Sequence, residues 1–66
     1  MQILLADDNP VFLQALERFL STDSRIRRLH LARSGAEAIE LADRENPDLV
    51  LLDWSLPDRN GLLAAL

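Results

Sequence analysis

Three short apolar runs alternate with two stretches in which apolar residues recur at helical spacing. Ile3-Leu4-Leu5-Ala6 is continuous rather than alternating and too short for a helix, which predicts a strand covered on both faces. Pro10 suits the first position of a helix capped by Asn9 or Asp8. After it Val11, Phe12, Ala15, Leu16, Phe19 and Leu20 form a stripe predicted to face the core, with Gln14, Glu17 and Arg18 on the other side. Ser21 to Ser24 reads as a polar loop. From Ile26 to Ala32, Arg28 and His30 alternate with Leu29 and Leu31, as in an edge strand with one wetter face. Ser34-Gly35-Ala36-Glu37 is a capping box. It opens a second helix with Ala38, Ile39 and Ala42 inward, Leu41 beside them, and Glu37, Glu40, Asp43 and Arg44 in water. Asn46-Pro47 stops that helix. Leu49-Val50-Leu51-Leu52 is another fully apolar run. Trp54 to Gly61 reads as a loop, and Leu62 to Leu66 begins a third helix.

The order βαβαβ implies an α/β fold with parallel strands and right-handed crossovers. Placing the first strand in the centre gives the order 2-1-3. Residues 1–66 make one small domain, and a chain near this length buries only about 60% of its unfolded surface. Nearly half of the residues are hydrophobic, which favours a packed core over disorder. There is no cysteine to supply a disulfide or thiolate metal site, a composition consistent with the reducing cytoplasm. A net charge of −4 argues against direct nucleic-acid binding. No apolar run approaches the roughly 20 residues of a membrane span, and Met1-Gln2-Ile3 lacks the basic start of a signal peptide.

Two acidic positions change this picture. Asp7-Asp8 follows the first strand and Asp53 the third. In an open parallel sheet, ligands bind beyond the carboxyl ends of the strands, where successive crossovers leave in opposite directions. With order 2-1-3 that switch point lies between strands one and three, so Asp7, Asp8 and Asp53 converge there. Each acid alone has a plain explanation: Asp8 as a helix cap favoured by the dipole, Asp53 as a strand terminator. Together they repel one another unless protons or a cation intervene, and hard oxygen ligands suit Mg²⁺.

Leu4-Leu5-Ala6-Asp7-Asp8-Asn9, followed by Leu49-Val50-Leu51-Leu52-Asp53-Trp54-Ser55-Leu56-Pro57-Asp58-Arg59-Asn60-Gly61, resembles the receiver domain of bacterial two-component response regulators. The acid pair, the acid after strand three, the proline four residues on and the glycine eight residues on all match in spacing. The resemblance implies a partial flavodoxin-like (CheY-like) fold. It implies that Asp53 is the phosphoacceptor, attacking the phosphohistidine of a sensor kinase or a small acyl phosphate. Mg²⁺ would be held by Asp8 directly, by Asp7 mainly through water, by Asp53, and by the backbone carbonyl of Ser55. The cation offsets repulsion between these acids and the incoming phosphoryl oxygens. Pro57 would stiffen the turn, and Gly61 would provide an unusual backbone conformation or a close approach.

Receivers are roughly twice this long and carry a switch hydroxyl after strand four and a lysine after strand five. This sequence has no lysine, and its one threonine, Thr22, lies in another loop. The expectation is therefore slow or abolished phosphorylation, and an exposed apolar edge on strand three that pairs with a second copy. A second reading follows: a half-receiver that is not phosphorylated and acts as a homo-oligomeric interaction module or is an inert fragment. A phosphatase with an Asp nucleophile needs an acid where Ser55 stands. An EF-hand loop fails at Pro57 and Asp58. His30, with no second ligand nearby, reads as an edge-strand residue, and Trp54 as partial packing on the rim.

Overall fold

The computed structural model describes residues 1–65; Leu66, assigned above to the third helix, lies outside them. The elements are β1 (Gln2–Ala6), α1 (Pro10–Leu20), β2 (Arg28–Ala32), α2 (Gly35–Glu45), β3 (Leu49–Leu52) and α3 (Arg59–Ala65). The strands form one parallel sheet in the order β2-β1-β3. Ile3 pairs with Leu29 on one side and Leu49 on the other, and the register runs through Ala6 with Ala32 and Leu52. The parallel α/β order is the one the alternating pattern implies, and it is the partial flavodoxin-like arrangement that the family resemblance implies.

Period-two alternation along β1 divides the core. Ile3 and Leu5 face α1 and pack with Leu13, joined by Leu16, Leu20, Ile26, Leu29 and Leu31. Leu4 and Ala6 face the other way and pack with Ala32, Ala38, Leu56 and Leu62. One helix therefore covers one face, and α2 with α3 cover the other. Both faces of β1 are buried, as its unbroken apolar run requires.

Four sequence expectations need correction. The buried residue of α1 is Leu13, outside the stripe read from the sequence, whereas Val11 and Phe19 are 73% and 75% exposed. A single helix on this face leaves part of its wide apolar arc uncovered, and sheet geometry puts Leu13, Leu16 and Leu20 inward. The apolar run of β3 is covered on one face only: Val50 and Leu52 pack against the α2 side, while Leu49 and Leu51 are exposed on the α1 side. α3 begins at Arg59, three residues before the expected start, and takes in Asn60 and Gly61. Gly61 has no positive φ, and a Cβ added there would meet open space, so it serves neither purpose expected of it.

Helix ends follow local chemistry. Asn9, not Asp8, caps α1, its side-chain oxygen accepting from the Val11 and Phe12 amides at 3.0 and 3.3 Å. Ser34 caps α2 through the Glu37 amide at 3.1 Å. The Glu37 carboxylate reaches the Arg33 amide at 3.5 Å, one residue before the donor that a capping box uses. Asn46 ends α2 in the left-handed region, with φ 49° and ψ 59°.

Candidate acidic metal site

The parallel ladder continues one step past the strands. The Asp53 amide donates to the Ala6 carbonyl at 2.8 Å, and the Asp7 amide to the Ala32 carbonyl at 3.0 Å. Asp7 and Asp53 thus leave adjacent strands at the same level, at the switch point between β1 and β3. Asp8 follows Asp7 into the turn before α1. One carboxylate oxygen from each of Asp7, Asp8 and Asp53 lies within 4.8 Å of the other two. Asp7 and Asp53 are half-buried and Asp8 is exposed.

Two of these carboxylates are also tied locally. Asp7 Oδ1 accepts from the Asn9 amide at 2.9 Å, an Asx turn that aims the chain into α1. Asp53 Oδ1 accepts from the Ser55 amide at 3.0 Å, and Oδ2 from the Ser55 hydroxyl at 2.7 Å. These donors stabilise the charged form: the Ser55 amide first, then its hydroxyl, hold the Asp53 carboxyl below the usual carboxylate range. Among the described residues, the ion pairs within the chain are Arg25 with Asp23 and Arg44 with Glu45, so no arginine neutralises the cluster. Three carboxylates without a countercharge form an oxygen donor set that fits a hard divalent cation such as Mg²⁺.

Beside the acids runs an apolar cleft of about 440 Å³ between α1 and β3, lined by Phe12, Leu16, Leu51 and Trp54, with Asp7 and Asp53 at its rim. Trp54 is 67% exposed, and the Arg59 guanidinium lies 5.0 Å from its ring centroid. The rim position of Trp54 agrees with its sequence reading; the pairing with Arg59 adds to it. His30 Nε2 lies 3.1 Å from Gln2 Oε1 at the sheet edge, away from the acids.

Two features of the site go beyond the sequence reading. The Ser55 side chain grips Asp53, whereas the family resemblance gives a role only to its backbone carbonyl; the Asp-x-Ser spacing is the signal that an Asx or hydroxyl contact leaves. Asp58 accepts from the Gly35 and Ala36 amides at 2.7 and 2.9 Å. Those amides, Gly35 first, hold its carboxyl below the usual range. No local pattern announces a contact between residues 23 positions apart.

A parallel α/β unit with an acidic cluster at its switch point is the class that fold and site define. A family model for the response regulator receiver domain matches residues 3–65, and the chain belongs to that family. The nitrate/nitrite response regulator protein NarL of Escherichia coli K12 is 40% identical over 91% of this chain and 28% of its own length. The uncharacterized transcriptional regulatory protein YhcZ of Bacillus subtilis is 38% identical over 97% of the chain and 30% of its own. A protein-glutamate methylesterase/protein-glutamine glutaminase of Methanospirillum hungatei is 39% identical over 92% of the chain and 17% of its own. The chain therefore spans less than a third of the length of these relatives.

Proposed function

We propose that this chain serves as the receiver of a two-component phosphorelay, with Asp53 as the phosphoryl acceptor. The observation that carries this reading is the meeting of the Asp7, Asp8 and Asp53 carboxylates at one switch point. An Asp53 oxygen attacks phosphorus as the bond to the donor breaks, and the leaving group is the imidazole of a sensor-kinase phosphohistidine or the carboxylate of a small acyl phosphate. The product is an aspartyl phosphate. Asp53 is ionised at neutral pH, so an oxygen lone pair is available for attack. The Ser55 hydroxyl fixes its rotamer and must release Oδ2 if that oxygen is to attack.

Asp8, Asp7, Asp53 and the backbone carbonyl of Ser55 are the groups we assign to Mg²⁺. When bound, the cation supplies positive charge that lets an anionic nucleophile approach an anionic phosphoryl group. The segment is not an enzyme in its own right in this reading; it is the regulated input of a larger protein in the cytoplasm. A transcriptional regulator and a methylesterase among its relatives support that view. The acidic net charge supports no direct contact with nucleic acid or a membrane surface, and among the described residues no helix is long and apolar enough to cross a membrane. The exposed Leu49 and Leu51 of β3 support pairing of this edge with a second copy.

Intact-mass spectrometry after incubation with Mg²⁺ and acetyl phosphate tests the assignment. A phosphoryl adduct that accumulates slowly, because the chain has no lysine to balance the phosphoryl charge, is expected on the wild-type chain and none on Asp53→Asn. A folded wild-type chain without adduct would overturn the acceptor role and favour the interaction-module reading.

A further inference from the structure

The segment that follows Asp53 is fastened at three points. At its start, the Ser55 amide donates to Asp53 Oδ1 at 3.0 Å and the Leu56 amide to the Asp53 carbonyl at 3.2 Å. In its middle, the Leu56 side chain is fully buried against Leu4, Ala38 and Leu62. At its end, Asp58 reaches across to the first turn of α2 and takes two of its free amides, Gly35 and Ala36. Ser34 takes the next one, Glu37. The start of α2 is thus capped jointly by its own serine and by a carboxylate from the acceptor loop. The approach is so close that a Cβ on Gly35 would lie 2.6 Å from Asp58 Oδ1 and 2.8 Å from the Asp58 carbonyl oxygen. Glycine at this position is what admits the contact.

We infer that Asp58 is a positioning residue, whose seat on the α2 N-terminus holds the turn that presents the Asp53 carboxylate and the Ser55 carbonyl to a metal ion. The metal part of this inference rests on the function proposed above; the holding of the turn does not. Leu56 anchors the loop through dispersion and burial, which fix depth but leave rotation about the loop axis free. Two directional hydrogen bonds at Asp58 remove that freedom. Without them Ser55, at the start of the loop, gains conformers in which its carbonyl turns away. Asp48 offers a matched control, because its carboxylate accepts from the Gln2 amide at 2.7 Å at the opposite end of the sheet.

The experiment compares wild type, Asp58→Ala, Gly35→Ala and Asp48→Ala, with folding checked by circular dichroism. Amide hydrogen exchange of Ser55 and Leu56 is read by NMR without metal, and Mg²⁺ affinity by calorimetry. Expected is faster exchange at both amides in Asp58→Ala and Gly35→Ala but not in Asp48→Ala. Mg²⁺ affinity is expected to fall at least about tenfold in the first two only, the scale on which supporting partners act on a metal site. Unchanged exchange at Ser55 in a folded Asp58→Ala chain overturns the inference, as does equal loosening in Asp48→Ala. Faster exchange with undiminished Mg²⁺ affinity overturns the link to the metal. A wild-type chain that binds no Mg²⁺ overturns the proposed function instead, and the exchange arm still decides whether Asp58 holds the turn. If Asp58→Ala does not fold, Asp58→Asn, which keeps one acceptor oxygen, is read in its place with the same expected direction.

Discussion

The Asp53 amide donates to the Ala6 carbonyl at 2.8 Å, one step beyond the Ala6–Leu52 pair that ends the β1–β3 ladder. That hydrogen bond sets the level at which Asp53 leaves the sheet and brings it beside Asp7. The acids are therefore gathered by the strand register, not by attraction, and their repulsion is a standing cost of the fold. Replacing one of them separates the two consequences. Asp8→Asn is expected to raise the thermal midpoint without metal, because it relieves like-charge repulsion. It is also expected to reduce the further rise that Mg²⁺ gives the wild-type chain by binding the native state. Thermal melts with and without Mg²⁺ check both signs; a lower midpoint without metal would show that Asp8 has a structural partner.

The two glycines predict opposite outcomes. Gly35→Ala forces a Cβ into the Asp58 carboxylate and backbone and should destabilise the chain. Gly61→Ala meets open space in a helical position, where alanine is favoured by about 0.5–1 kcal/mol. Urea midpoints should move down for the first and up for the second. A gain from Gly35→Ala would refute the close approach of Asp58.

Burial rather than hydrophobicity ranks the leucines. Leu56 and Leu62 are fully buried, and truncating either to alanine should cost about 2–5 kcal/mol, enough to unfold a domain of this size. Leu63→Ala, at a side chain 44% exposed, should stay within about 0.5 kcal/mol. On α1 the same contrast holds between buried Leu13 and exposed Phe19. Denaturation by circular dichroism orders all five.

The strands were legible as short runs bounded by caps and acids, and the order 2-1-3 agrees with the structure, but an apolar run alone does not mark the central strand, because the equally apolar β3 lies at the edge. Asp7, Asp8 and Asp53 were legible for the same reason: the end of a strand is visible where an apolar run meets an acid, and parallel strands share their ends. The inward face of α1 was not, because seven of its eleven residues are hydrophobic and the arc is wider than the surface one helix can bury. The exposed part of that arc and the outer face of β3 border the same cleft. The start of α3 is hidden because Asn60 and Gly61 are poor helix formers, and the buried Leu56 and Leu62 on either side override their propensity. Asp58 and Gly35 meet only once α2 and α3 have docked.

The exposed arc and the β3 edge carry a prediction of their own. Phe12, Leu51 and Trp54 line one continuous apolar cleft, and β3 has no strand on its outer side among the described residues. Sedimentation velocity at micromolar concentration should detect self-association. Leu51→Lys, which places a charge on the edge, should abolish it while leaving the secondary structure intact. A wild-type monomer at those concentrations would refute pairing through this face.

Acid should weaken the fold through Asp58. Its carboxyl is held below the ordinary value by the Gly35 amide and then the Ala36 amide, so the native state keeps its charge to lower pH than the unfolded chain does. When pH drops below the unfolded value near 4, the unfolded state takes up protons first, and stability contributed by this group is lost as pH falls through its native value. Asp53 shifts in the same direction through Ser55. Asp23, drawn from 3.8 to about 2 by hydrogen bonds from Arg25, does so at an exposed pair that salt screens. Urea midpoints between pH 7 and pH 2.5 should therefore be flat down to about pH 4 and fall below it. The fall should be shallower in Asp58→Asn, which has no carboxylate to protonate, and nearly unchanged in Asp23→Asn at high salt. An Asp58→Asn chain with the full wild-type acid sensitivity would mean that the seat on α2 does not distinguish the charged carboxylate from the neutral amide.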